Sequence, residues 1–227
     1  MGWLPPSGVY VLEPGSSVRV GEALVEYRRD GVLIASDSYG GYRIYAGGLP
    51  VKVYPSQPLY RLRRLTDCLA IILDEDLVVP SSGRVSYWFK APLELTVAIG
   101  GVVSARLSPR RVKHVLVGEI VDGVVCRSYH SSVYTEPPEP SEGEALVKVV
   151  FKPSVGFKLS MIVFYVDVCD IYVSSDGTPF LELVEAMYTG GQVAFKLTDQ
   201  PPVDGVKRVE ESHVAKSFQR RVFLYKP

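Results

Sequence analysis

The densest run of chemically capable side chains in this sequence is Cys126-Arg127-Ser128-Tyr129-His130. A cysteine close to a histidine invites thiolate chemistry, and an adjacent guanidinium would lower the thiol pKa. The spacing argues against that use. In an extended strand Cys126 and His130 share a face but lie roughly 13 Å apart at the usual rise per residue, whereas proton transfer needs hydrogen-bond reach. The run therefore reads as a buried cysteine beside a surface pair, Arg127 and Tyr129.

Carboxylates offer a second route. Glu94 sits among apolar neighbours, and Asp167 and Asp170 bracket Cys169. On a concave β-sheet, an acid such as Glu94 with Tyr129 or Arg127 would suit a jelly-roll-like hydrolase or a carbohydrate-binding protein, since glycoside hydrolysis uses two acids flanking the scissile bond. Asp74-Glu75-Asp76 reads as a solvated turn, because a calcium loop needs alternating ligands and a glycine. The three histidines, His114, His130 and His213, never fall two or four residues apart, so no local metal pair is expected. No phosphate loop or dinucleotide glycine pattern follows a strand, and no cofactor is expected.

Basic residues gather in Tyr60-Arg61-Leu62-Arg63-Arg64, around Arg110 and Arg111, and at Arg220-Arg221. Arg61 and Arg63 share one face of a strand and, with interleaved tyrosine, could hold a phosphate, an RNA backbone or an anionic lipid surface. An anion- or membrane-surface binder of this kind requires Arg61, Arg63, Arg110 and Arg111 to converge. The plainer reading is protection of a sheet edge by charge. Arg61, Arg63, Glu94, Lys113, His114, Arg127 and Tyr129 together form the set of binding candidates; no residue is assigned a catalytic role.

The whole composition bounds these options. Twenty-five basic and 25 acidic side chains cancel, which does not favour nucleic acid, since that partner normally demands a basic excess or stripe. Cys68, Cys126 and Cys169 are odd in number and far apart, so they read as buried thiols of a cytoplasmic protein. The N-terminus lacks the basic flank and long apolar run of a secretory leader, and the most apolar stretch, Leu159 to Val168, is about half a membrane span. Asparagine is absent altogether, and heat-adapted chains thin out thermolabile residues.

The elements that must position these residues are strands. Valine occurs 36 times and tyrosine 14 times in 227 residues, and Gly, Pro, Ser or Asp interrupts the chain every eight to twelve positions. Alternation places strands at Val9–Leu12, Ala23–Arg28, Val32–Ser36, Tyr42–Tyr45, Val51–Tyr54, Cys68–Leu73, Val85–Phe89, Leu93–Val97, Val102–Leu107, Val112–Val117 and Val124–Tyr129. Gly100-Gly101 and Arg29-Asp30-Gly31 mark tight hairpins, and Lys90-Ala91-Pro92 reads as a break. The Pro/Glu-rich stretch 136–143 has no apolar face to bury and reads as a linker between a β domain over 1–135 and a β-sandwich over 144–227. Beyond it lie strands at Ala145–Lys152, Phe157–Tyr165, Ile171–Ser174, Gln192–Leu197 and Arg221–Tyr225, while Phe180–Met187 suits helix and strand about equally.

Several short elements have a recognisable order: Val51-Lys52-Val53-Tyr54-Pro55, Pro58-Leu59-Tyr60, Val79-Pro80, Ala91-Pro92-Leu93-Glu94, Lys113 with Leu116-Val117-Gly118, and Gly123-Val124-Val125-Cys126-Arg127-Ser128-Tyr129. Together they resemble an archaeal family of uncharacterised proteins, the domain-of-unknown-function family numbered four hundred and thirty-two. The resemblance implies an archaeal source and hints at a membrane-associated partner; it brings no activity and no functional residue. The expectation is an all-β protein of two antiparallel sandwich-like domains with little or no helix. Its expected role is non-catalytic: it offers a β edge or a loop-end surface to a protein partner or to a second copy.

Overall fold

The computed structural model describes residues 2–59, 66–119, 123–189, 191–212 and 222–225. In chain order the strands are β1 (Tyr10–Leu12), β2 (Ser16–Val20), β3 (Ala23–Tyr27), β4 (Val32–Asp37), β5 (Gly40–Tyr45), β6 (Val51–Ser56) and β7 (Cys68–Val79). They continue with β8 (Val85–Pro92), β9 (Glu94–Ile99), β10 (Val102–Leu107), β11 (Lys113–Val117), β12 (Val124–Ser131), β13 (Glu144–Lys152) and β14 (Phe157–Tyr165). The last six are β15 (Ile171–Val173), β16 (Pro179–Leu181), β17 (Val184–Thr189), β18 (Gln192–Leu197), β19 (Lys207–Arg208) and β20 (Val222–Tyr225). Among the described residues the only helical turn is a 3-10 turn at Glu210–Ser212, so the all-β expectation holds.

The strands form four sheets: β2-β3-β4-β5, β1-β6-β9-β10, β11-β12-β7-β14, and an eight-stranded sheet, β19-β15-β16-β13-β17-β18-β20, to which β8 adds by pairing with β13. Pairing is antiparallel except where β12 meets β7 and where β13 meets β16 and β17. Long excursions separate these parallel partners in sequence, as parallel geometry requires. Gly31, Gly100 and Gly101 take the left-handed backbone that their tight turns demand, with φ of 81°, 57° and 83°.

Two large apolar cores result, with two smaller clusters beside them. In the first, Val25, Tyr27, Leu33 and Ala35 of β3 and β4 pack on Val51, Val53, Leu95, Val97 and Leu107 of the sheet beneath. In the second, Leu69, Ile71, Ile162 and Phe164 face Phe89, Val147, Val149, Phe151 and Phe195. The period-2 alternation of Val, Leu and Tyr is what gives each strand one inward face.

The expected division at 136–143 is not where the two cores separate. The first core draws on β1–β6 and on the β9–β10 hairpin, because β9 pairs with β6 in an antiparallel ladder from Val51↔Ile99 to Ser56↔Glu94. The second takes β7 and β8 together with the strands after residue 143: β8 pairs with β13 over eight positions, and β14 pairs with β7. The chain thus crosses between cores several times. Just before the Pro/Glu stretch Tyr134 bridges Trp88, and within it Pro140 is buried. Local composition registered that stretch's lack of a core face but not the long-range ladders on either side.

Two smaller expectations also change, and one open alternative resolves. Lys90-Ala91-Pro92 is the last part of β8 rather than a break, with Pro92 at the strand end where a missing donor costs least. Asp74-Glu75-Asp76 lies exposed inside the twelve-residue β7, not in a turn. Phe180–Met187 is strand, split between β16 and β17. A strand at Ser16–Val20 joins the set without having stood out in the pattern.

Candidate functional site

Most of the residues singled out for chemistry converge where the first core meets β12. Glu94 opens β9, and Arg127 lies in the middle of β12 opposite His114 of β11. The Arg127 guanidinium donates through Nη1 to Glu94 Oε1 at 2.8 Å, and both side chains are 1 % exposed. Ser108 Oγ also reaches Oε1, at 3.4 Å, while the Ser108 backbone N–H donates to Asp37 of β4 at 2.9 Å. The contact is single-pronged. Glu94 Oε2 and Arg127 Nη2 are buried without a hydrogen-bond partner among the described residues.

Burial sets the electrostatics of this pair. Loss of hydration pushes the Glu94 carboxyl up to about 7; Arg127, Arg106 and the Ser108 bond pull it down, and Asp37 pushes it up. Burial likewise lowers the Arg127 pKa against the pull of Glu94, Tyr39 and Tyr129. His114 is lowered by partial burial and then by Arg127.

A second polar node adjoins the first. Glu144, at the start of β13, accepts from Tyr129 Oη at 2.5 Å and from the Ser141 N–H at 2.7 Å, and it pairs with Arg110 at 3.3 Å and Lys90 at 3.6 Å. Burial works to raise the Glu144 carboxyl, but the Tyr129 and Ser141 bonds and the two cations outweigh it and hold it below the usual carboxylate range. Tyr129 is raised first by burial and then by its bond to Glu144 and that carboxylate's charge. Trp3 Nε1 donates to the Glu144 carbonyl at 2.7 Å, and Glu142 accepts from the Gly21 N–H at 2.9 Å. The Pro/Glu stretch, the N-terminal segment and the β2–β5 sheet are thereby fastened to one place.

The set of binding candidates is only partly united. Arg127, Glu94 and Tyr129 belong to the two nodes, with His114 at their margin. Lys113 is exposed and, one residue away along β11, points to the opposite face from His114. Arg61 and Arg63 lie outside the described residues. Arg110 serves Glu144, and Arg111, its side chain 80 % exposed, lies 3.8 Å from Glu22. Glu144, Ser108 and Asp37 were not singled out in the sequence; the one signal for Glu144 was an acid at the head of an apolar strand run.

Sealing decides what these nodes can do. A hydrolase acid must touch its substrate, and Glu94 at 1 % exposure cannot. Glu94 was expected on a concave surface and is instead clasped in the interior, because β6, β10 and β12 close around the first residue of β9. The thiolate reading fails differently. Cys68 and Cys126 form a disulfide across β7 and β12, with Cα atoms 4.9 Å apart, which corrects the expectation of three thiols; Cys169 is buried and outside any disulfide. Parallel pairing of Arg127 with Leu69 brings the preceding residues together, a long-range register that spacing along the chain does not reveal. His130 stands 3.8 Å from Asp74, whose other oxygen accepts from Ser132 at 2.7 Å, so the serine donates to the acid and not to the imidazole. Among the described residues no group of three His, Cys, Asp or Glu could hold a metal ion, and no helix is long and apolar enough to cross a membrane.

The accessible feature is a sheet edge. β20 ends the eight-stranded sheet, and Val222 and Leu224 on its outer face are 43 % and 56 % exposed while Phe223 is buried. Leu224, Ala194 and Met187 form one apolar row across β20, β18 and β17. Among the other edges, β10 and β14 have register shifts and β2 has Arg19, while β1 (Tyr10–Leu12) has no such feature within its three residues. β20 has no bulge, proline or charge within its four residues.

No curated protein and no solved structure matches the chain. A family model does, over residues 8–226, in agreement with the resemblance carried by the short motifs. With nearly its whole length matched, the chain belongs to the family described as a protein of unknown function, DUF432.

Proposed function

We propose that this protein is a non-catalytic interaction module that presents an open β edge to another polypeptide. The observation that carries this is β20, the terminal strand of the largest sheet among the described residues, with exposed Val222 and Leu224 and an apolar row ending at Met187. Open edges of this kind template pairing with another chain. The buried nodes around Glu94 and Glu144 serve as fasteners that hold the sheets rigid, which suits a surface that must be pre-formed to bind. A heat-adapted archaeal cytoplasm agrees with the missing asparagines, and a buried disulfide is at home in the disulfide-rich interiors of hyperthermophiles.

The test compares wild type with Val222→Lys/Leu224→Lys in affinity purification from a lysate of the source organism, and assays both on glycosides, esters and phosphoesters. The substitutions lie on exposed positions, so both proteins should share one circular dichroism spectrum. Partners retained by wild type should disappear from the variant, with no turnover by either. Identical partner sets, or enzyme-like turnover lost in Glu94→Gln, would overturn the reading.

A further inference from the structure

We infer that the outer face of the β2-β3-β4-β5 sheet is a self-association surface, on which a second copy of this chain docks face to face about a two-fold axis parallel to the strands. This goes beyond the β20 reading and uses a different sheet. All four strands lie within the described residues, and Val25, Tyr27, Leu33 and Ala35 turn into the first core. Alternation therefore turns Leu24, Glu26, Ile34 and Ser36 outward. These four form a half-buried centre, with Ser17 and Arg19 of β2 exposed along one side and Arg43 and Tyr45 of β5 along the other.

Strand register specifies the occupant. One row across the face runs Ser17, Glu26, Ile34, Arg43, and the next runs Arg19, Leu24, Ser36, Gly41. An axis between β3 and β4 lays each row on its own reverse. Glu26 then meets Ile34 of the second copy, Arg43 meets Ser17, Leu24 meets Ser36 and Arg19 meets Gly41. The long arginines land on the smallest residues, and no two like charges face each other. Glu26 accepts from its own Arg28 at 2.9 Å, and Arg43 of the second copy, lying over the adjoining Ser17, reaches the same carboxylate. A patch complementary to itself is what an isologous dimer requires, and facing sheets stack about 10 Å apart with their strands within about 30° of each other. Nucleic acid and anionic lipid fit less well, because Glu26 and the aliphatic Leu24 and Ile34 occupy the centre, where a polyanion needs cations. Strands of about five residues in a sheet of four cover about 17 by 19 Å, which is small for a stable complex. The dimer is therefore weak, with a Kd between about 10 µM and about 1 mM.

The experiment follows the full chain by sedimentation velocity and native mass spectrometry from about 1 µM to about 1 mM. A concentration-dependent dimer is expected, and Arg43→Glu and Glu26→Arg should each weaken it about tenfold or more, since each sets like charges together across the axis. An equimolar mixture of the two variants should regain the dimer as a heterodimer, because both of its contacts then join opposite charges. Refolding within one chain cannot produce that rescue, and circular dichroism of each variant checks that it folds. A monomer throughout the range, a dimer indifferent to both substitutions, or a mixture that fails to pair would overturn this surface. A dimer kept in Arg43→Glu but lost in Val222→Lys/Leu224→Lys would also overturn it, by placing self-association at β20. Identical partner sets for the β20 variant, with the heterodimer rescue intact, would remove the edge reading and leave this surface standing.

Discussion

Removing the Cys68–Cys126 bond should lower stability by an amount set mainly by the length of chain it closes. The cysteines are 58 positions apart, and the loop-closure relation for a loop of that size gives about 4 kcal/mol at room temperature. Unfolding entropy scales with length, at roughly 2.1 cal/mol/K per residue, so for this 227-residue chain the loss corresponds to a fall in Tm of about 9 °C. The assay has two parts. Alkylation in denaturant without reductant should modify one cysteine, Cys169, and all three after reduction. Thermal and guanidinium unfolding, followed by the fluorescence of Trp3 and Trp88, should then be compared for the oxidised protein and Cys68→Ala/Cys126→Ala. Three reactive thiols before reduction would show that the bond does not form. If one thiol reacts yet the two Tm values coincide, the loop-entropy reasoning is refuted.

The other expectations concern the buried nodes and the N-terminal clasp. Glu94→Leu should cost about 3–5 kcal/mol because it strands a guanidinium that stays charged, and Arg127→Met should cost less because Glu94 can protonate; Glu94→Leu/Arg127→Met should cost far less than the sum. Additive losses in urea titrations would argue against that coupling. The Glu94 carboxyl is raised to about 7 from 4.5, so its favourable contribution is fully present below about pH 4.5 and is lost as pH rises through about 7. The stability of wild type minus that of Glu94→Gln should fall across this window, and a flat difference would contradict it. Gly177 has φ of 83°, and a Cβ there would sit 1.9 Å from the Leu4 carbonyl oxygen. Gly177→Ala should therefore unseat residues 2–4, speeding their amide exchange and shifting Trp3 emission, while the core amides stay protected.

Much of the strand inventory was legible because a half-buried strand writes its burial into every second residue. Val102–Leu107, Phe157–Tyr165 and Gln192–Leu197 agree residue for residue with their observed spans, and the Gly100-Gly101 turn announced itself through backbone freedom. Asp74–Asp76 misled because three acids in a row look solvated, and they are solvated, yet an exposed stretch can still belong to a long strand whose ends are paired. For the Pro/Glu stretch, absence of a core face marks a surface segment but does not say whether the flanking strands share a sheet. At the site, Glu94, Arg127 and Tyr129 stood out by residue type, while their burial, and the partnership of Tyr129 with Glu144, depended on strands 15 to 33 positions apart in sequence.

The amino-acid pattern by itself determined the class of this protein: alternating valine, leucine and tyrosine dictate strands with inward faces. Family membership was also within its reach, since short ordered motifs survive without any knowledge of the fold. Only the tertiary structure decided that Cys68 meets Cys126, that Glu94 is locked inside rather than offered to a substrate, and that β20 packs Phe223 onto the sheet that holds the disulfide. Each of these is a relation between distant segments. Side-chain periodicity reports which way a residue points within its own strand, whereas register and sheet overlap report what it points at, and those depend on the joint energy of all four sheets.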